Sequence, residues 1–299
     1  MLRLFRNTLF LLALLAAARV DAAPLLVVAA ESTYGTIARQ IGGEHVRVVS
    51  LIRNPDVDPH SFEASPQAAR LVASARLVLR NGLGYDTWMQ RLLQANPVPA
   101  REVLVAADLL PRERLANGNP HVFYDPRVGL AMAVAITSWL CRADPAHAAQ
   151  FRAAEQHLRT QIGQVEQRIR QLARLHPALP VTATEPVWGY MVRALGWTDR
   201  NSGLQTHVMN GTEPSPREVA SFDTDLRQRR VALLIHNRQV RTPLSDSLLQ
   251  LARRCGVATV GIDEFTPPSK DYAQWLLDSL LRTQRALAAP AATGARCHD

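Results

Sequence analysis

Two short segments carry the residues best suited to chemistry in this 299-residue chain. The first is Asp58-Pro59-His60-Ser61-Phe62-Glu63, and the second is Asn119-Pro120-His121-Val122-Phe123-Tyr124-Asp125-Pro126. Each sets one histidine beside prolines, where an apolar run gives way to a loop. A neutral imidazole on a stiff turn is a good transition-metal ligand, because proline reduces the entropy lost in ordering the site. Two such histidines in different loops point to one site assembled between them.

Other chemistries leave no trace. There is no His-Glu-x-x-His helix and no Gly-x-Ser-x-Gly elbow. The formal net charge is +8, carried almost wholly by arginine, since Lys270 is the only lysine. The arginines are scattered. Their short clusters, Arg227-Gln228-Arg229-Arg230 and Arg253-Arg254, have no interleaved aromatics, so no nucleic-acid partner is expected. The three cysteines, Cys141, Cys255 and Cys297, lack metal-ligand spacing. In an oxidising compartment Cys255 and Cys297 are the expected pair, both being in the C-terminal half, with Cys141 a buried small hydrophobe.

Residues 1–22 read as a secretory signal. Arg3 and Arg6 supply the charge, Leu9 to Ala17 the apolar core, and Val20-Asp21-Ala22 the cleavage site. The core is too short to span a bilayer. No cysteine lies near the cleavage point, so the expectation is a periplasmic protein without a lipid anchor, its mature chain starting near Ala23.

From residue 23 to 143, short apolar runs alternate with helical spacing. Strands are expected at 25–30, 45–52 and 77–80, with helices at 34–41, 66–75 and 85–93. This rhythm implies a parallel sheet with helices on its faces, and His60 falls in a loop at the carboxyl end of a strand, where such sheets bind ligands. Residues 144–175 change character. Phe151, Ala154, Leu158, Ile162, Val165, Ile169 and Leu172 recur at helical steps, predicting one long helix that His176-Pro177 stops. His147 and His157 lie on its polar side. The βα rhythm resumes over 176–289, with strands at 180–183, 231–235 and 257–262, and helices at 187–195, 245–254 and 271–287. Ser215 and Glu218 form a capping box. His236 ends a strand and could line the ligand cleft or compete as a ligand. Residues 290–299 read as a disordered tail. The fold class is thus α/β, with two parallel-sheet lobes bridged by one long rigid helix.

These motifs resemble those of the periplasmic metal-binding proteins of manganese and zinc ABC importers, over nearly the whole mature chain. Asp58-Pro59-His60 is similar to that family's Asp-Pro-His motif. Asn81-Gly82-Leu83-Gly84-Tyr85-Asp86-Thr87-Trp88 resembles its segment after the third strand, and His121-Val122-Phe123-Tyr124-Asp125-Pro126 its His-x-Trp-x-Asp-Pro motif, with Phe123 in place of Trp. The resemblance implies a metal held in the interlobe cleft by His60 and His121 from one lobe and Glu185 and Asp263 from the other. Glu185 stands in Thr184-Glu185-Pro186-Val187-Trp188-Gly189-Tyr190, where zinc importers carry histidine. Glu264, beside Asp263, could take the fourth place if the loop shifts by one residue. Glu185 could instead cap a helix N-terminus.

Two imidazoles and two carboxylates balance a divalent charge. The carboxylates favour a harder ion, so Mn²⁺ is expected ahead of Zn²⁺, one per chain, even though Zn²⁺ should bind at least as tightly in isolation. A bidentate carboxylate would raise the coordination number above four. The implied function is capture of the ion and delivery to a membrane permease, by a monomer with no enzymatic activity. The alternatives are a secreted metal-dependent hydrolase, which would need an open coordination position, or a binder of metal chelates.

Overall fold

The computed structural model describes residues 23–53, 57, 59, 62–110, 118–289 and 297. The expected signal segment, Asp58, His60 and all of the expected tail except Cys297 lie outside the described residues. Among those described, no helix is long and apolar enough to cross a membrane.

The first lobe forms around β1 (Leu25–Glu31), β2 (Val46–Ile52), β3 (Leu77–Arg80) and β4 (Glu102–Val105). They pair in the order β2-β1-β3-β4, all parallel. Val27 to Glu31 are buried without alternation, as expected for a strand covered on both faces. Helices α1 (Ser32–Gly42), α2 (Pro66–Ser74), α3 (Thr87–Ala95) and the single turn α4 (Ala106–Leu109) connect them. Then follow α5 (Pro126–Ala143) and α6 (Ala148–Leu175). The second lobe repeats the plan. Strands β5 (Pro180–Ala183), β6 (Thr198–Arg200), β7 (Leu233–Asn237) and β8 (Ala258–Ile262) pair in parallel in the order β6-β5-β7-β8. Helices α7 (Gly189–Ala194), α8 (Ser202–Met209), α9 (Pro216–Arg227), α10 (Pro243–Arg254) and α11 (Tyr272–Ala288) surround them. In each sheet the connections leave the first strand to one side and return on the other. That reversal opens a crevice at the carboxyl ends of β1 and β3, and of β5 and β7.

The long helix begins at Ala148 rather than Asp144. Pro145 disfavours helical backbone in the residue before it, so Asp144 stays at φ −142°, ψ 76° and a 3-10 turn intervenes. Over its 28 residues α6 is about 42 Å long. It packs on α1 and α5 of the first lobe and on α11 of the second. The lobes also share one apolar core. Val27, Tyr34 and Phe123 belong to the same buried cluster as Val181, Trp188, Leu233 and Trp275.

Two edge strands carry no sequence signal strong enough to predict them. β6 is Thr-Asp-Arg, polar because an edge faces water, and β4 is only half-buried. The capping box at Ser215 and Glu218 is formed. Cys255 and Cys297 are joined in a disulfide, and Cys141 is free and half-buried. The bridge spans a sequence separation of 42 and ties the chain's last described residue to the core beside α10. Constraining a loop of that length in the unfolded chain is worth about 4 kcal/mol at most. Cys297→Ser should therefore lower the unfolding free energy in guanidinium by about 2–4 kcal/mol. Added reductant should cost the parent protein a similar amount and the variant nothing.

Candidate metal centre

His121 is fixed by its neighbours before any ligand arrives. The Val122 N–H donates to the Pro120 carbonyl at 2.7 Å, closing a tight turn around His121 at φ −75°, ψ 43°. Asn81 Nδ2 donates to the same carbonyl at 2.8 Å. Asn81 is in turn held by the Tyr34 hydroxyl, which donates to its Oδ1 at 2.7 Å, and by its own N–H donating to Asp86 at 2.6 Å. Gly82, at φ 87°, completes the bend after β3; a Cβ there would meet Val105 at 2.6 Å.

Asn119 decides which ring nitrogen of His121 is available. Its Nδ2 donates to the Pro186 carbonyl at 2.7 Å, so its Oδ1 faces the histidine. That oxygen accepts from the His121 backbone N–H at 2.9 Å and lies 2.7 Å from Nδ1. An amide oxygen can only accept, so Nδ1 carries a proton and Nε2 is the ring nitrogen turned to the cleft. Tyr85 and Phe123 meet the ring edge-on, with centroids 5.9 and 5.6 Å away. Phe123, in the place where Trp was expected, is fully buried.

The second lobe supplies two carboxylates from adjacent strand ends. Glu185 precedes Pro186 and is accordingly extended, at φ −152°, ψ 149°. Its side chain caps nothing, although a short helical turn follows it. Glu264 follows β8. Both carboxylates reach Asn237, the last residue of β7, whose Nδ2 donates to Glu185 Oε2 and to Glu264 Oε1, each at 2.5 Å. The other oxygens face the first lobe. His121 Nε2 is 3.8 Å from Glu185 Oε1 and 3.8 Å from Glu264 Oε2. All three side chains are almost completely shielded from water, at 0–1% exposure. Metal bonds of 2.0–2.2 Å at a tetrahedral angle put donors roughly 3.3–3.6 Å apart. The two His121 separations of 3.8 Å are close to that spacing, and the three donor atoms all lie within 4.8 Å of one another.

The expected ligands thus divide. His121 and Glu185 come together, and His60 lies outside the described residues. Asp263 points elsewhere. Its carboxylate pairs with Arg282 at 2.9 Å and Arg238 at 3.0 Å, and its backbone carbonyl accepts from the Tyr124 hydroxyl at 2.6 Å. Successive side chains of an extended segment face opposite ways, so turning Asp263 to these arginines turns Glu264 to the cleft. The same alternation puts Asn237 in the site and His236 out of it. His236 sits half-buried between β8 and Arg238, and burial holds its pKa below the usual imidazole value. Asn237 and Asn119 were not assigned roles from sequence; the only hint was an amide placed where an apolar strand or loop ended.

A second group, His45, Asp144 and His147, gathers on the surface where α1 meets the start of α6. His147 Nδ1 lies 2.7 Å from Asp144, and the two rings stack at 3.8 Å, 25° from parallel. A metal must lie in the plane of each imidazole that binds it, and near-parallel stacked rings cannot both satisfy that. The buried trio is the only other such group among the described residues.

The family model described as "Zinc-uptake complex component A periplasmic" (ZnuA) matches residues 27–285. The chain belongs to the ZnuA family. The manganese-binding lipoprotein MntA of Bacillus subtilis is 30% identical over 200 residues, 60% of this chain and 64% of that protein. The zinc-binding protein TroA of Treponema pallidum is 28% identical over 72% of this chain and 70% of its own length. The solved structure of TroA shares the fold, with a TM-score of 0.76 at 20% identity, over 90% of this chain and 100% of that one. ZnuA-family members are metal-binding components that act with ABC importer permeases, and they are not enzymes.

Two ionisable groups near this ZnuA-family cleft have displaced equilibria. The Tyr85 hydroxyl donates to Glu264 Oε2 at 2.9 Å; burial, then the Glu264 charge, push its pKa well above the usual phenol value, so it stays a donor. Glu31, at the end of β1, is fully buried, and neither carboxyl oxygen has a hydrogen-bond partner. Burial, with Asp86 nearby, raises its pKa well above the ordinary 4.5.

The folded protein therefore binds the Glu31 proton more tightly than the unfolded chain does. This contribution to stability is fully present below about pH 4.5 and is lost as pH rises through the native pKa. Glu31→Gln should flatten the decline in urea midpoint above that pH. An unchanged slope would show that Glu31 does not titrate abnormally. For the ZnuA-family histidine, Asn119→Ala should weaken metal affinity roughly 10- to 100-fold by freeing the imidazole tautomer. Asn119→Asp, which still accepts from Nδ1, should stay much closer to the parent in a competition titration.

Proposed function

We propose that this chain captures one divalent first-row metal ion between its lobes and passes it to the permease of an ABC importer. The reading rests on one observation above the rest. An imidazole oriented by Asn119 turns Nε2 toward two carboxylates in a dry cleft, and the three side chains come from both lobes. His121, Glu185 and Glu264 are the proposed donors, with His60 as the fourth. Glu264 takes the place first expected for Asp263, because Asp263 is engaged by two arginines.

The carried ion is Mn²⁺ or Zn²⁺. Two carboxylates make a harder donor set than three imidazoles would, which supports manganese; the Irving–Williams order supports tighter zinc binding. A manganese-binding and a zinc-binding relative support both ions equally. The protein works in the periplasm, on this reading, after loss of residues 1–22, and as a monomer. The shared core and the α6 strut keep closure small and local to the second lobe's loops.

Two substitutions separate the neighbouring acids. Glu264→Ala should lower affinity for Mn²⁺ and Zn²⁺ by several orders of magnitude, read by competition with a chelating dye. Asp263→Ala should leave affinity within about tenfold and cost about 1–3 kcal/mol of stability, since it removes the carboxylate that Arg238 and Arg282 share. The opposite pattern would return the fourth ligand to Asp263. Native mass spectrometry of protein purified from periplasm should show one metal ion per chain, and elemental analysis should identify it.

A further inference from the structure

The amide of Asn237 does more than fill space behind the ligands. We infer that Asn237 is a specificity-determining residue, which holds Glu185 and Glu264 to one metal-facing oxygen each and so limits the coordination number of the bound ion. This inference rests on the site proposed above.

An amide nitrogen carries two hydrogens diverging in one plane. In this protein each is given to a different carboxylate, Glu185 Oε2 and Glu264 Oε1. The oxygens left facing His121 are Glu185 Oε1 and Glu264 Oε2, one from each group. For either carboxylate to bind an ion through both oxygens, it must turn its second oxygen away from Asn237. That would strand an amide N–H inside a site sealed from water, a costly loss.

Asn237 itself cannot follow the carboxylates. Only 2% of it is exposed. Its Oδ1 accepts from the Gln239 N–H at 2.9 Å, and its own N–H donates to Thr184 Oγ1 at 3.4 Å. Gln239 Oε1 in turn accepts from the Glu264 N–H at 2.9 Å. The ends of β5, β7 and β8 are thereby joined through one rigid amide.

Two single-oxygen carboxylates and two imidazoles make four donors, the number zinc adopts. Manganese favours six hard donors. With the amide in place, the hard carboxylates are offered at a zinc-like count. Without it, each can add a second oxygen, and the balance between the ions moves toward manganese.

The test loads the full mature protein with cobalt(II), whose visible absorption is intense in four-coordinate sites and weak in six-coordinate ones. The parent should give the intense spectrum. Asn237→Leu, which keeps the branched shape and removes both donors, should give the weak one, and its zinc-to-manganese affinity ratio should fall at least roughly tenfold. Asn237→Ala, which removes both donors without adding a charge or a metal ligand, carries the same expectation and serves if the leucine variant does not fold. A six-coordinate parent, or a metal-loaded variant with the parental spectrum and affinity ratio, would overturn the clamp while leaving the site standing. A parent that binds no cobalt, zinc or manganese would overturn the site and the clamp together.

Discussion

Everything in the cleft follows from placing two carboxylates side by side where water cannot reach them. Taking one such charge out of water is costly, and two of them repel. The second lobe offsets part of that cost with the Asn237 amide and the first lobe with the Tyr85 hydroxyl, but both are dipoles. Full compensation needs positive charge. His121, whose Nδ1–H is taken by Asn119, turns Nε2 toward both carboxylates. On the reading proposed above, a bound divalent cation would complete the compensation.

That arrangement works only if the lobes stay in register. The tie is made of buried hydroxyls and amides donating to main-chain carbonyls of the other lobe. Tyr124 donates to Asp263, Tyr272 to Phe123, Asn119 to Pro186, Tyr190 to Asn119, and Ser32 to Thr266. Asp125, which begins α5, also pairs with Arg193 of α7 at 3.1 Å. Most of the hydroxyl and amide donors would be left buried and unsatisfied if the lobes rotated apart, and the shared apolar core would open with them. A hinged clamshell is the wrong description of such an interface.

Much of this was legible in the sequence, for identifiable reasons. The strands β1, β3, β5 and β7 are apolar runs because both faces of a parallel sheet are covered, and α6 shows its stripe because only one face is. His121 and Glu185 announce themselves through the prolines beside them. What the sequence could not show was side-chain direction at a strand end. Asp263 and Glu264 are adjacent acids, and only the arginines brought up by α11 and the β7–α10 connection decide which one turns inward. The polar edge β6 was missed because it lacks apolar residues. Asn237 was invisible for a further reason: an amide's value lies in which two groups it lies between.

The strut formed by α6 also bears on where the cleft can change shape. With both lobes packed along about 42 Å of helix, moving one against the other would break that packing and open the shared core. The segment that carries Glu264 is held to the first lobe more lightly, by Ser32 Oγ donating to the Thr266 carbonyl and the Thr266 N–H donating to Thr33 Oγ1. Parting two hydrogen bonds costs far less than parting a core, so a change local to this segment needs no bending of the body of the protein.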